Sequence, residues 1–256
     1  MVSGFREKEL IEAADLLLDA RRTHTPIADL PPALQPQSLE EVAHIHGIMA
    51  VAYGEIGGWK IGAGTPDATP FFAPMPLAWM AGSGAVLAGP RYRYRVLEAE
   101  ISFLLADDLP PRAKPYTREE VVAAIASCHP AIEELESGLT DPKAATHFSA
   151  LADLQMHGGF IHGPACADWQ SIDFAKESVT LSIDGAVRVE RTGSNTSGDL
   201  MRLLPYLANE GAARTGGLKA GQWITTGSWT GNTPAIPGAQ VDVEFAHAGR
   251  VGLRFA

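Results

Sequence analysis

From Tyr94 to Leu105 the residues alternate in a way that fits a strand: Leu97, Ala99, Ile101, Phe103 and Leu105 fall on one side, Glu98 and Glu100 on the other. The apolar row has to bury against a core, so the segment belongs inside a sheet, and the two carboxylates share whatever cleft or solvent lies across from it. Taken alone, a Glu-x-Glu pair in an amphipathic strand reads as a solvated face, because carboxylates are mostly exposed. Two like charges held that close inside a cleft need a cation.

The rest of the chain decides between those cases. Its 256 residues, 46% hydrophobic and 20% charged, suffice for one large domain or two modest ones and fit neither a membrane span nor a disordered chain. A net charge of -10 with no Lys/Arg run repels phosphate backbones and anionic head groups, which argues against nucleic acid or membrane as partners. The polar opening, Met1-Val-Ser-Gly-Phe-Arg-Glu, and the lack of a signal-like or membrane-length apolar run make the cytoplasm the expected location. Cys128, expected at a helix end, and Cys166 are read as reduced thiols.

Apolar residues at helical spacing (Leu10, Ala13, Ala14, Leu17, Leu18) predict a helix from Phe5 to about Arg22, followed by a Pro-rich linker from Thr25 to Pro36. Ser38-Leu-Glu-Glu41 has the form of a capping box and opens a second helix through Val42, Ile45, Ile48, Met49 and Tyr53. Beyond Trp59 short apolar runs punctuated by Gly and Pro predict strands near 58–62, 85–88, 95–106, 130–136 and 157–163. Thr117-Arg-Glu-Glu120 caps a helix that is expected to end before Pro130, and another near Asp199–Asn209 is expected to bend at Pro205. Asp184-Gly185 marks a type I′ hairpin between 179–183 and 186–190, and a second hairpin closes the chain. Helices first and strands afterwards make the fold class α+β, with a helical part over 1–57 and a strand-rich body over 58–256. Gly193-Ser-Asn-Thr-Ser-Gly198 lacks the spacing of a nucleotide-binding loop and reads as a polar loop leading into a helix.

A third acid, Glu133, lies in the extended segment Pro130-Ala-Ile-Glu133. Three carboxylates from two strands can surround a hard divalent ion and leave water or substrate oxygens to complete an octahedron, which favours Mg²⁺ or Mn²⁺ over zinc. His44 and His46, two apart on a helix, point to different sides and are read as surface or packing residues.

In order along the chain, Gly58-Trp-Lys-Ile-Gly62, Leu97-Glu-Ala-Glu100, Pro130-Ala-Ile-Glu133, Ala152-Asp153 with Gly158, and Gly221-Gln-Trp-Ile-Thr-Thr-Gly227 resemble the 2-keto-4-pentenoate hydratase family. That family is the hydratase/decarboxylase branch of the fumarylacetoacetate hydrolase superfamily. The resemblance implies a mixed β-sandwich or roll body, Glu98, Glu100 and Glu133 as ligands for Mg²⁺ or Mn²⁺, and Lys60 as an active-site lysine. It also implies Asp153 as an acid beside the pocket that orients water or acts as base, and Thr226 and Gly227 as donors to a substrate carboxylate. The implied reaction is hydration of a 2-hydroxy-2,4-dienoate to a 4-hydroxy-2-oxo acid, as in meta-cleavage degradation of aromatic compounds. The alternatives are decarboxylation of a 2-oxo-3-enedioate, or a silent subunit bound to a partner enzyme. A homo-oligomer is expected from a strand-rich fold with exposed edges.

Three segments depart from the family's pattern: Leu154-Gln-Met156 follows Asp153 where small and polar residues are usual, Phe71 stands where relatives reach an acid, and Gly198-Asp199 replaces a Gly-x-Pro.

Overall fold

The computed structural model describes residues 4–256. Two helices, α1 (Gly4–Thr23) and α2 (Leu39–Tyr53), precede the strands β1 (Ile56–Gly62), β2 (Phe71–Pro76), β3 (Met80–Gly82), β4 (Ala85–Leu87) and β5 (Val96–Leu105). Next come α3 (Arg118–Ala123), β6 (Ile125–Leu135), α4 (His147–Ala152), β7 (His157–His162), β8 (Ser178–Ile183) and β9 (Ala186–Thr192). The chain finishes with α5 (Leu203–Asn209), α6 (Ala212–Thr215), β10 (Trp223–Thr225), β11 (Thr233–Pro234), β12 (Gln240–Phe245) and β13 (Gly249–Phe255). Among these residues no helix is long and apolar enough to cross a membrane.

The strands form two mixed sheets. The larger runs β2-β1-β10-β5-β6-β7-β3, with β11 also on β5, and the smaller runs β4-β13-β12-β8-β9. The apolar row of β5 is fully buried and joins Trp59, Ile61 and Ile224 of the same sheet in one core with Val179, Leu181, Val241, Val243, Phe245, Val251 and Leu253 of the other. One face of the large sheet is thereby committed to the sandwich, as the period-two alternation requires, and Glu98 and Glu100 look away from it. A second cluster joins Leu10, Ala13, Ala14 and Leu17 of α1 with Val42, Ile45 and Met49 of α2 and with Leu139, Ala152 and Leu154 of the body.

Both expected hairpins form, and Asp184 and Gly185 take the positive φ values, 52° and 76°, that a type I′ turn needs. Ser38 caps α2 by accepting from the Glu41 amide, but Glu41 reaches back to the Gln37 amide and pairs with Arg6. Elsewhere the local reading needs correction. The helix capped at Thr117 ends at Ala123, and Cys128 lies within β6 opposite Phe103, because pairing with β5 outcompetes further helical turns. Both cysteines are free thiols. The break near Pro205 falls one turn earlier: a 3₁₀ turn at Leu200–Arg202, capped by Asp199, passes into α5, so Pro205 lies in the first helical turn, where its missing N–H costs nothing. Strand β2, unforeseen because Pro74 and Pro76 read as loop, sits at the sheet edge, where a strand can accommodate proline.

Gly58 faces Trp223 across the parallel β1–β10 pair, and a Cβ there would meet the Trp223 carbonyl oxygen at 2.2 Å. At Gly62 the nearest atom would be at 3.7 Å. Gly58→Ala is therefore expected to lose roughly 1–3 kcal/mol in denaturant unfolding, as overpacking does. Gly62→Ala should unfold close to the parent.

Candidate metal centre

Register alone assembles the acids. In the antiparallel β5–β6 pair Glu98 lies directly opposite Glu133, and Glu100, two residues on, shares their face. Ligand oxygens of the three carboxylates lie within 4.8 Å of one another. Two full charges at that distance repel by about 3.5 kcal/mol at an effective dielectric constant of about 20. Three such pairs approach the whole stability of a domain, about 5–15 kcal/mol, so the cluster cannot be fully ionised without compensation.

The compensation is uneven. Burial pushes Glu133 up, but the Lys60 ammonium, 2.6 Å from its Oε1, and the His157 ring, 2.8 Å from the same oxygen, outweigh it and hold the carboxyl below its usual range. Burial and the Glu133 charge push Glu98 up to about 7 against the opposing Lys60 charge and a bond from Ser228. Glu100 is raised as well, by burial first and then by Glu133 and Glu98. Its Oε2 accepts from the Thr225 hydroxyl and, at 3.0 Å, from the Gly227 amide. Burial opposes the charge on Lys60, yet the three carboxylates prevail and keep the ammonium protonated, with a second bond of 3.0 Å to the Gln155 carbonyl. Without a cation, then, Glu133 gives up its proton most readily of the three, and Glu98 and Glu100 hold theirs more tightly than an ordinary carboxylate.

The donor set fits a hard divalent ion. It is all carboxylate oxygen, and Glu133 Oε2 is buried with no hydrogen-bond partner although Oε1 has two. These acids and Lys60 line a cleft of about 440 Å³ whose other walls include Phe71, Leu151, Gln155, Arg191 and the Gly227–Gly231 loop.

Lys60, Glu98, Glu100, Glu133 and Gly227 are thus brought together, while Asp153 and Thr226 are not among the residues lining the cleft. Asp153 is fully buried; its Oδ1 pairs with Arg21 at 2.5 Å and its Oδ2 accepts from Ser137 Oγ and the Gly138 amide. The Thr226 hydroxyl donates to the Ile101 carbonyl, 2.7 Å away. The Gly227 amide is already engaged with Glu100. The parity of β10 explains the Thr226 displacement: Ile224 faces the core, so Thr225, opposite both Lys60 and Ser102, faces the acids. No sequence signal marked His157 or the Gln155 carbonyl.

Residues 154–156 form a left-handed turn, with φ values of 50°, 51° and 63° at Leu154, Gln155 and Met156. Such a conformation costs roughly 1–2 kcal/mol for each non-glycine residue. Arg21 of α1 spans it, donating to the Asp153 carbonyl on one side and the His157 carbonyl on the other.

No protein-family model matches the chain. It is 30% identical over 158 residues to 2-hydroxyhexa-2,4-dienoate hydratase of Comamonas testosteroni, covering 62% of this chain and 59% of that one. Over 136 residues it is 27% identical to 4-oxalocrotonate decarboxylase of Pseudomonas putida, covering 53% and 51%. The matches to these two relatives span between half and three fifths of their lengths. In fold it is similar to 4-oxalocrotonate decarboxylase from Pseudomonas putida G7, complexed with magnesium and adipate, with a TM-score of 0.85 and 22% identity over 100% of this chain and 99% of the other. With the acid cluster and the two-sheet body already in view, these likenesses agree: over part of their lengths the chain is similar in sequence to a dienoate hydratase and an oxalocrotonate decarboxylase, and it has the fold of the latter.

Proposed function

We propose that this protein is a divalent-metal-dependent lyase of a short 2-oxo acid, and that its reaction adds water to a 2-hydroxy-2,4-dienoate to give a 4-hydroxy-2-oxo acid. The observation that carries the reading is the convergence of Glu98, Glu100 and Glu133 beside a charged Lys60. The three carboxylates would hold Mg²⁺ or Mn²⁺, which when bound supplies a Lewis acid for negative charge that builds on the C2 oxygen. Lys60, protonated and almost buried, serves as proton donor or electrostatic partner to that oxygen rather than as a base. Thr226 and the Gly227 amide are already engaged, so neither is free to hold the substrate carboxylate. Phe71 and Leu151 offer an apolar surface to the diene.

Decarboxylation of a 2-oxo-3-enedioate is the second reading, and one observation favours it. Apart from the three clustered acids, no Asp, Glu or His among the described residues lines the cleft to activate water. Loss of CO₂ needs an electron sink but no such base, and Arg191 on the cleft wall offers a cation to a second carboxylate.

Metal-stripped protein given 2-hydroxypenta-2,4-dienoate or a 2-oxo-3-enedioate separates the readings by product mass. Metal-dependent gain of water is expected, loss of CO₂ would establish the second reading, and no turnover of either would leave a silent subunit. Glu133→Gln should lower the metal-dependent rate by more than about 100-fold, beyond the 10–100-fold typical of changes behind the ligands.

The pH dependence has a definite sign. Glu98 binds its proton more tightly folded than unfolded, so its contribution to the metal-free protein's stability is present at low pH and lost as pH rises from about 4.5 through about 7. Thermal unfolding should show the metal-free protein losing stability across that window. Calorimetric Mn²⁺ titration should show affinity rising over the same window as the proton leaves the ligand.

A further inference from the structure

Glu133 is gripped through one oxygen. Lys60 Nζ and His157 Nδ1 both donate to Oε1, at 2.6 and 2.8 Å, while Oε2 has no partner among the described residues. The two donors differ in kind. An ammonium on a four-carbon stem can follow a carboxylate that turns, and Lys60 divides its protons between Glu133 and the Gln155 carbonyl. The imidazole has no such freedom: His157 is fully buried, Trp79 stacks on it with ring centroids 5.9 Å apart, and the Arg91 guanidinium covers Trp79 at 4.6 Å. An ionised carboxylate only accepts, so Nδ1 carries the ring proton and Nε2, buried without a partner, is bare.

The backbone fixes where that ring sits. His157 opens β7 opposite Leu135, and the β6–β7 register slips between Glu134 and Leu135, opposite Gly158. A Cβ at Gly158 would meet Glu134 Oε2 at 2.4 Å and the Glu136 amide nitrogen at 2.8 Å, so the strands approach closely at the slip. Upstream, the left-handed turn hands the chain into β7, and Arg21 ties both of its ends through the Asp153 and His157 carbonyls. Asp153 anchors Arg21 in turn, with its other oxygen held by Ser137 and Gly138.

We propose that His157 is the positioning residue of the metal centre: its Nδ1–H locks the Glu133 carboxylate so that Oε2 alone is presented to Glu98 and Glu100, and the Arg21–Asp153 clamp holds the ring in register. The proposal rests on the metal-binding reading above and assigns Asp153 to this clamp rather than to the handling of water.

The test is Mn²⁺ affinity of the full-length protein, read from the electron paramagnetic resonance signal of the free ion, with thermal unfolding of each variant alongside. His157→Asn sets an amide N–H near the place of Nδ1, whereas His157→Gln places it near Nε2 and His157→Phe keeps only the stacked ring. Asn should bind within about threefold of the parent, and Gln and Phe about 10–100-fold more weakly, the usual cost of losing a bond behind a metal ligand. Equal losses in Asn and Gln, or parental affinity in Phe, would overturn the proposal. Should the Phe variant not fold, the contrast between Asn and Gln still decides. A parent protein that binds no Mn²⁺ would remove the metal reading and this inference with it, an outcome distinct from a parent that binds and variants that do not differ.

Discussion

Like charge at close range is the constraint around which this molecule is arranged. Once β5 and β6 pair in the observed register, Glu98 and Glu133 must face each other and Glu100 must lie beside them. Nothing in the sandwich core asks for this, since the core is filled by the other face of the same strands. The sheet accepts the cluster because each acid has a different kind of relief. Glu133 has a cation and an imidazole, Glu100 has a hydroxyl and an amide, and Glu98 has a bond from Ser228 and a carboxyl that holds its proton more tightly than usual. What remains is a concentration of carboxylate oxygen from which protons leave when a stronger positive charge arrives.

That relief draws on parts of the chain far from the cleft. Arg21 stands in α1, yet it reaches the turn before β7 and the end of β6 through four hydrogen bonds to Asp153, His157 and Glu136. The helical part is therefore no appendage. Its own apolar cluster incorporates Leu139, Ala152 and Leu154 of the body, so the clamp is held within packed material rather than across a solvated gap.

Where local pattern dictated structure, the sequence was legible. The alternation in β5, the two leading helices and both hairpins appear within a few residues of their expected bounds, because each is settled by its own periodicity or turn chemistry. Strands β2 and β10 were hidden for opposite reasons, the first by prolines that its edge position accommodates, the second by being three residues long in the middle of a sheet. The acid cluster and Lys60 were legible because strand parity and the family pattern agree there. Thr226 and Asp153 were expected at the cleft by position along the chain, but a one-residue step flips a strand side chain to the other face, and a carboxylate beside a buried arginine is not free to face a pocket.

The departure at Leu154-Gln-Met156 takes on a different meaning once its backbone is seen. Read as side chains, it puts bulky groups where polar contacts would line a pocket. Leu154, however, is fully buried in the helical cluster and does not reach the cleft. Burying such a side chain is worth about 1.5–3 kcal/mol, enough to offset the left-handed conformation of its own residue and part of its neighbours'. The turn then contributes by its main chain: the Gln155 carbonyl meets Lys60, the Met156 carbonyl takes the Glu136 amide, and the next residue is His157. The apolar residue therefore changes the backbone that supports the acid cluster, and the cleft itself is lined by the acids, Lys60 and the wall opposite them.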